Sequence, residues 1–130
     1  MRTVTVTAPS FPEAPTEQEL PIEPGQIWQV LCGDLDHWRV GVYSPAATSP
    51  DELPELERHT CPELFLLLSG RLTLLLHVDG EVRELALRPN RPVLIQAPHA
   101  GFCPDGPHTG TAFVVERDRF STEYREPSGW

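Results

Sequence analysis

The stretch LFLLLSGRLTLLLHVDGEVRELAL, residues 64–87, decides the fold. Its leucines alone would suit a buried helix. Three features oppose that reading. Ser69-Gly70 interrupts the apolar run, and Asp79-Gly80 is a two-residue pair of the kind that closes a β-hairpin. Beyond that pair, Val82, Leu85 and Leu87 sit among Arg83, Glu84 and Arg88 over a strand-like length. The stretch is therefore read as three antiparallel strands, 64–68, 72–78 and 81–87.

Working outward, the same signals repeat. Residues 27–32 read as a strand closed by Gly33-Asp34. Residues 37–43 read as another, with Trp38, Val40 and Val42 on one face and Arg39 and Gly41 on the other. A loop rich in Pro, Ser and Asp covers 44–54, with room for a short helical turn near Asp51. Residues 93–96 form a short strand, 97–110 a Gly/Pro/His loop, and 111–116 the last clear strand before a polar tail. At the start, Thr and Val alternate over 3–7 as in an edge strand. A proline-rich extended arm follows, carrying Pro9, Pro12, Pro15, Pro21 and Pro24. The division expected is an arm over 1–25, one β-domain over 26–117 and a tail over 118–130. Many short strands with close turns point to an all-β sandwich or barrel.

Composition narrows the partners. Ten basic residues against nineteen acidic ones give a formal charge of −9. Nucleic acid and anionic membranes both call for clustered Lys and Arg, so neither is expected as a partner. Cys32, Cys61 and Cys103 are odd in number and irregular in spacing, which is no disulfide framework and fits a reducing cytoplasm. No signal-peptide core and no apolar run of about 20 residues is present.

The chemistry gathers where a polar segment meets the first leucine strand, in ERHTCPELFLLLSG, residues 57–70. In an extended chain, Glu57 and His59 point to one face. Glu63 begins the strand, with its alternate neighbours turned into the core. A carboxylate there is costly unless paired or ligated, and Arg71 or Arg39 would satisfy it as an ion pair. Glu57 also belongs to an acidic run with Asp51, Glu52 and Glu55, for which a solvated face is a sufficient account. Cys103 reads equally as a small buried hydrophobe, Cys32 as core, and Trp28 and Trp38 as core or pocket wall.

This spacing resembles the first motif of the cupin superfamily, His-x-His, three or four residues, Glu, six residues, Gly. Here it reads Glu57-Arg-His59, Thr-Cys-Pro, Glu63, six residues, Gly70, with Glu57 in place of the first histidine. The second motif places a histidine five residues after a turn-opening proline. In APHAGFCPDGPHTG, Pro98 matches, Ala100 replaces a glycine, and Cys103 falls in the histidine's place. The resemblance spans Trp38 to Glu116. It implies a small single-domain, RmlC-like cupin, a double-stranded β-helix or jelly-roll barrel with four side chains converging at one end on a divalent metal.

Carried over, the implied ligands are Glu57, His59, Glu63 and Cys103, with His99 as the alternative to Cys103 and His108 as a further candidate from the same loop. The implied metal is Zn, Fe, Mn or Ni, and a thiolate would favour Zn or Fe. Three functions remain open. The first is a metal enzyme of dioxygenase, isomerase or lyase type acting on a small polar metabolite, with Glu63 and His59 catalytic. The second is a metal-free isomerase or epimerase whose clustered carboxylates and His59 exchange protons. The third is a non-catalytic binder of a small molecule or metal. The resemblance also implies a homodimer, exchanging N-terminal strands or pairing sheets.

Overall fold

The structure, a computed structural model, describes residues 2–5 along the backbone and residues 17–130 in full. The strands in chain order are β1 (Arg2–Thr5), β2 (Trp28–Asp34), β3 (Trp38–Tyr43), β4 (Leu56–His59), β5 (Glu63–Ser69), β6 (Thr73–Val78), β7 (Glu81–Ala86), β8 (Val93–Ile95), β9 (His99–Phe102), β10 (Thr111–Arg117) and β11 (Arg119–Arg125). Among the described residues the one helical turn, Pro50–Glu52, lies where the Pro/Ser/Asp loop was expected to hold one.

All pairings are antiparallel. One sheet runs β1-β11-β4-β9-β6-β7, the other β2-β3-β10-β5-β8. The strand order jumps along the sequence, as in a jelly roll, and the two sheets stay separate hydrogen-bonded units, so the expected barrel is realised as a jelly-roll sandwich.

The leucine stretch folds as its punctuation dictates. Asp79 and Gly80 both have positive φ, 52° and 82°, which is the turn whose twist matches a right-twisted hairpin. Behind it β6 and β7 pair from Val78 opposite Glu81 to Thr73 opposite Ala86. Gly70 is fixed twice over. Its φ is +68°, and a Cβ there would fall 1.9 Å from the Thr109 carbonyl oxygen. Inside the sandwich, Phe65, Leu67, Leu72, Leu74, Leu76, Ile95, Ala112 and Val114 pack as one cluster.

Several boundaries differ from the sequence reading. Strand β2 continues through Gly33 and Asp34, and its turn comes at residues 35–37, with Asp36 at φ 69°. The loop expected over 97–110 contains β9. The polar tail expected over 118–130 contains β11, which pairs with both β1 and β4. The N-terminal strand is Arg2–Thr5, while Val6, Thr7 and residues 8–16 of the expected arm lie outside the described residues. Residues 17–25 are exposed and form no strand. The two faces of β3 divide as the alternation reads: Arg39 and Tyr43 turn to the interior cavity, and Val42 on the other face is buried as well.

Candidate metal centre

Strand parity brings four polar side chains together. Glu57 and His59 are alternate residues of β4, Glu63 opens β5, and His99 opens β9. Register does the rest. Glu57 is the Cα partner of His99, and His59 the partner of Thr122 on β11. Glu63 arrives from the opposite sheet on the face that it shares with Phe65 and Leu67.

The distances describe a converging set. Glu63 Oε1 lies 2.8 Å from His59 Nε2 and 3.0 Å from His99 Nε2. Glu57 Oε1 lies 3.6 Å from His59 Nε2 and 3.9 Å from His99 Nε2. The outer nitrogens are already engaged. His99 Nδ1 donates to the Ala97 carbonyl at 2.9 Å, and His59 Nδ1 lies 2.7 Å from Thr122 Oγ1. That turns His99 Nε2 towards the cluster, the arrangement that orients a metal-binding imidazole.

Glu63 supplies the test of fit. It is 5% exposed, and although two ring nitrogens crowd its Oε1, none is placed to donate to it in hydrogen-bond geometry. Short contacts that miss hydrogen-bond directions are what donor atoms show when they aim at a shared point between them. Ligands about 2.1 Å from one ion and at right angles around it lie about 3 Å apart, which matches both Glu63 contacts. Two imidazoles and two carboxylates are donors that Fe(II), Mn(II), Ni(II) and Zn(II) accept.

Electrostatics agree with that convergence. Burial works against the His59 imidazolium, but the Glu57 and Glu63 carboxylates outweigh it and raise its pKa to about 10. Burial likewise opposes charge on His99, and Glu63 above all reverses the effect, so its pKa is raised. Glu63 resists the upward push of burial because both histidines face it, and its pKa falls to about 2.

A second polar pole stands in the same cavity. Arg39, 2% exposed, places Nε 2.9 Å and Nη2 2.8 Å from the same Glu116 oxygen, Oε1. Burial first, then repulsion from Glu63, raises the Glu116 pKa to about 7 against the pull of Arg39. A carboxylate oxygen of Glu116 lies within 4.8 Å of the donor atoms of His59 and Glu63, so the two poles adjoin. Between and above them lies a cavity of about 260 Å³ walled by Trp28, Tyr43, Phe65, Val114, Phe120 and Tyr124. The Trp28 indole lies on Gly41, where a Cβ would fall 2.1 Å from its Cη2. Tyr43 Oη accepts the Gly101 N–H at 2.9 Å, and burial holds its phenol neutral.

Of the residues marked out by sequence, the structure assembles Glu57, His59, Glu63 and His99. It does not bring Cys103 to them. Cys103 is fully buried in the apolar cluster, its N–H on the Ala47 carbonyl and its Sγ beside Gly110. The physical reason is register. Pro98 does not open a turn ahead of the strand but directly precedes β9, so the inward position at the cluster is the residue after the proline, His99. His108 points its Nδ1 to the Ser44 carbonyl instead. Cys61 is buried, and Cys32 is half-buried in β2. Neither proposed ion pair for Glu63 forms: Arg71 pairs with Asp105 and Arg39 with Glu116. Arg39 and Glu116 are the pocket residues that the sequence reading missed. The signal was strand parity, since Glu116 follows Ala112 and Val114 on the inward face of β10 just as Glu63 precedes Phe65 and Leu67 on β5.

This placement predicts a contrast. Cys103→Ala should leave metal content unchanged at a modest cost in stability, about 1–2 kcal/mol for a small core truncation. His99→Ala should remove most of the metal. Elemental analysis of both proteins checks the pair, and metal loss in the cysteine variant alone would restore the original assignment.

No family model matches the chain, and no curated protein matches its sequence. Solved structures do match in shape. The DMSP lyase DddQ from Ruegeria pomeroyi DSS-3 superposes with a TM-score of 0.51 at 20% identity, over 69% of this chain and 45% of that one. Hydroxypropylphosphonic acid epoxidase from S. wedmorenis gives 0.53 at 18% identity, over 76% and 55%. CapF in complex with 3-isopropenyl-tropolone gives 0.56 at 16% identity, over 83% and 34%. The chain thus spans about half of these proteins or less, and what it shares with them is architecture. With two antiparallel sheets in jelly-roll order and a His/Glu cluster between them, the chain has the fold of the cupin superfamily.

Proposed function

We propose that the chain binds one divalent metal ion through Glu57, His59, Glu63 and His99, and acts on a small polar metabolite in the adjoining cavity by lyase-, isomerase- or dioxygenase-type chemistry. The observation that carries this reading is the buried Glu63 Oε1, which lies 2.8 and 3.0 Å from two imidazole nitrogens at once. The structural likeness to a lyase and an epoxidase supports it at the level of fold. When bound, the ion supplies a Lewis acid or an oxygen-activating centre. The chain's own side chains do the remaining work. Thr122 and the Ala97 carbonyl hold the two imidazoles in place, and aromatic side chains wall the cavity. Tyr43 keeps a neutral hydroxyl at the wall, beside the strand that carries His99.

Elemental analysis after reconstitution with Fe(II), Mn(II), Ni(II) or Zn(II) tests the reading. About one ion per chain is expected, and a protein that takes up none of the four sinks it. The pH dependence has a definite sign. His59, raised to about 10, carries a proton at neutral pH that the metal must displace, and the raised pKa of His99 acts in the same direction. Affinity should climb as pH rises from 6 towards 10, by about one log unit per pH unit while the His59 proton is displaced. Calorimetry in buffers of different ionisation enthalpy counts those protons, and affinity flat with pH would contradict the ligand assignment.

A second reading keeps the metal out. Glu63 at about 2, Glu116 at about 7 and His59 at about 10 are neighbouring groups driven apart in pKa, the pattern that separates an acid from a base in proton-transfer enzymes. Failure of all four metals to bind favours this isomerase- or epimerase-type chemistry. We further propose a homodimer. The outward faces of β5, β8 and β10 leave Leu64, Leu68, Leu94 and Val115 exposed. Light scattering should give twice the chain mass, and a monomer mass at micromolar concentration overturns the dimer.

A further inference from the structure

The Arg39 guanidinium is incompletely used. Its Nε and Nη2 both go to one Glu116 oxygen, while Nη1 is buried and has no acceptor among the described residues. The group is also held in place. Its carbon lies 4.9 Å from the Phe120 ring centre and 5.7 Å from that of Trp28, and Glu116 anchors it from a third side. A buried guanidinium N–H without an acceptor is unfavourable, and this one belongs to a side chain on the wall of the cavity that also holds the candidate metal centre. Glu63 Oε1 is the other buried orphan in that wall, and the metal reading accounts for it. Arg39 has no such account.

We infer that Arg39 is a binding residue for the carboxylate of a small organic acid. The ligand's carboxylate pairs with the Arg39 guanidinium from the cavity side, and its other end lies towards Glu57, His59, Glu63 and His99. A guanidinium edge matches a planar carboxylate better than it matches a hydroxyl, and a charge-assisted bond is about twice as strong as a neutral one. The cavity of about 260 Å³ has room for a small organic acid. The aromatic walls suit its carbon skeleton. The inference rests on reading this cavity as the substrate pocket; it does not require that a metal be present.

Calorimetry with lactate, succinate and benzoate, each beside its amide, tests the idea on metal-loaded and on metal-free protein. At least one acid is expected to bind about ten-fold or more tightly than its amide. The double variant Arg39→Met/Glu116→Leu, which leaves no unpaired charge behind, should lose that preference while keeping the metal content of the parent. Acid and amide binding equally, an acid preference that persists in the double variant, or no binding by any of the three acids each overturns the inference. Elemental analysis of the same samples keeps the two readings apart. A protein without metal that still prefers acids through Arg39 fails the metal proposal only. A metal-loaded protein indifferent to carboxylates fails this one only.

Discussion

Glu63→Gln should empty the metal site. The substitution keeps shape and removes the charge from the carboxylate nearer to both imidazole nitrogens, at 2.8 and 3.0 Å. Loss of an outer-sphere partner typically costs 10–100-fold in metal affinity, so loss of this central ligand should cost more than about 100-fold. Metal content should fall from about one ion per chain to below about a tenth under equal loading. The variant should still fold, because a neutral amide is less costly than a carboxylate in a site that is 5% exposed. A second readout separates ligation from general damage. Without the Glu63 charge, the upward pull on His59 is reduced, so its titration should move down from about 10. Histidine proton resonances followed against pH would show it. Full metal content in a folded Glu63→Gln protein would end the metal reading.

The same two shifts set the alkaline and acid limits of the metal-free protein. His59 has a raised pKa, so its contribution to stability is complete below about 6.5 and is lost as pH rises through about 10. Glu63 has a lowered pKa, so its contribution is complete above about 4.5 and is lost as pH falls through about 2.

Arg39→Met should be the most destabilising single change at the cavity. Arg39 is 2% exposed and Glu116 5%, and the variant strands Glu116 as a buried carboxylate without its partner. Breaking such a pair from one side costs about 3–5 kcal/mol. Part of that loss should be relieved by protonation of Glu116, whose pKa is already raised to about 7, so the penalty should shrink as pH falls from 8 to 5. Arg39→Met/Glu116→Leu should recover most of the loss, because apolar side chains of similar volume replace a buried pair at little net cost. Urea unfolding of the parent and both variants measures it. A double variant no more stable than the single one would show that the pair is needed for more than charge balance.

Much of the fold was legible because its signals are local. Asp79-Gly80 can hardly be anything but a hairpin turn between apolar strands, and β5, β6 and β7 follow from it. Two strands were not legible. His99–Phe102 is a strand of four residues that contains Ala and Gly, lies between prolines and has no β-branched side chain; its pairing with β6 holds it extended, not its propensity. Arg119–Arg125 reads as polar, yet Phe120, Thr122 and Tyr124 alternate inward as cavity lining, and Thr122 is fully buried because it touches His59.

The site divides in the same way. Glu57, His59 and Glu63 lie within seven positions and one bend, so their spacing exposes them. The fourth member depends on how strands forty residues apart are aligned, and counting five from Pro98 reached Cys103 when the pairing with Glu57 selects His99. Arg39 and Glu116 come from strands that neighbour each other in the sheet but lie far apart in sequence, and only β3–β10 pairing makes them partners.

The meeting of β4 with β9 is the thinnest seam in the larger sheet: the ladder between them has a single pair, Glu57 opposite His99. Their alignment is set from the far sides, by the four-pair ladders of β4 with β11 and of β9 with β6. Side chains alternate along a strand, so a slip of one residue in β4 would turn Arg58 inward and expel both Glu57 and His59. An ion held by both strands would exist only in the correct alignment, and would tie together directly two strands that are otherwise aligned through their outer neighbours.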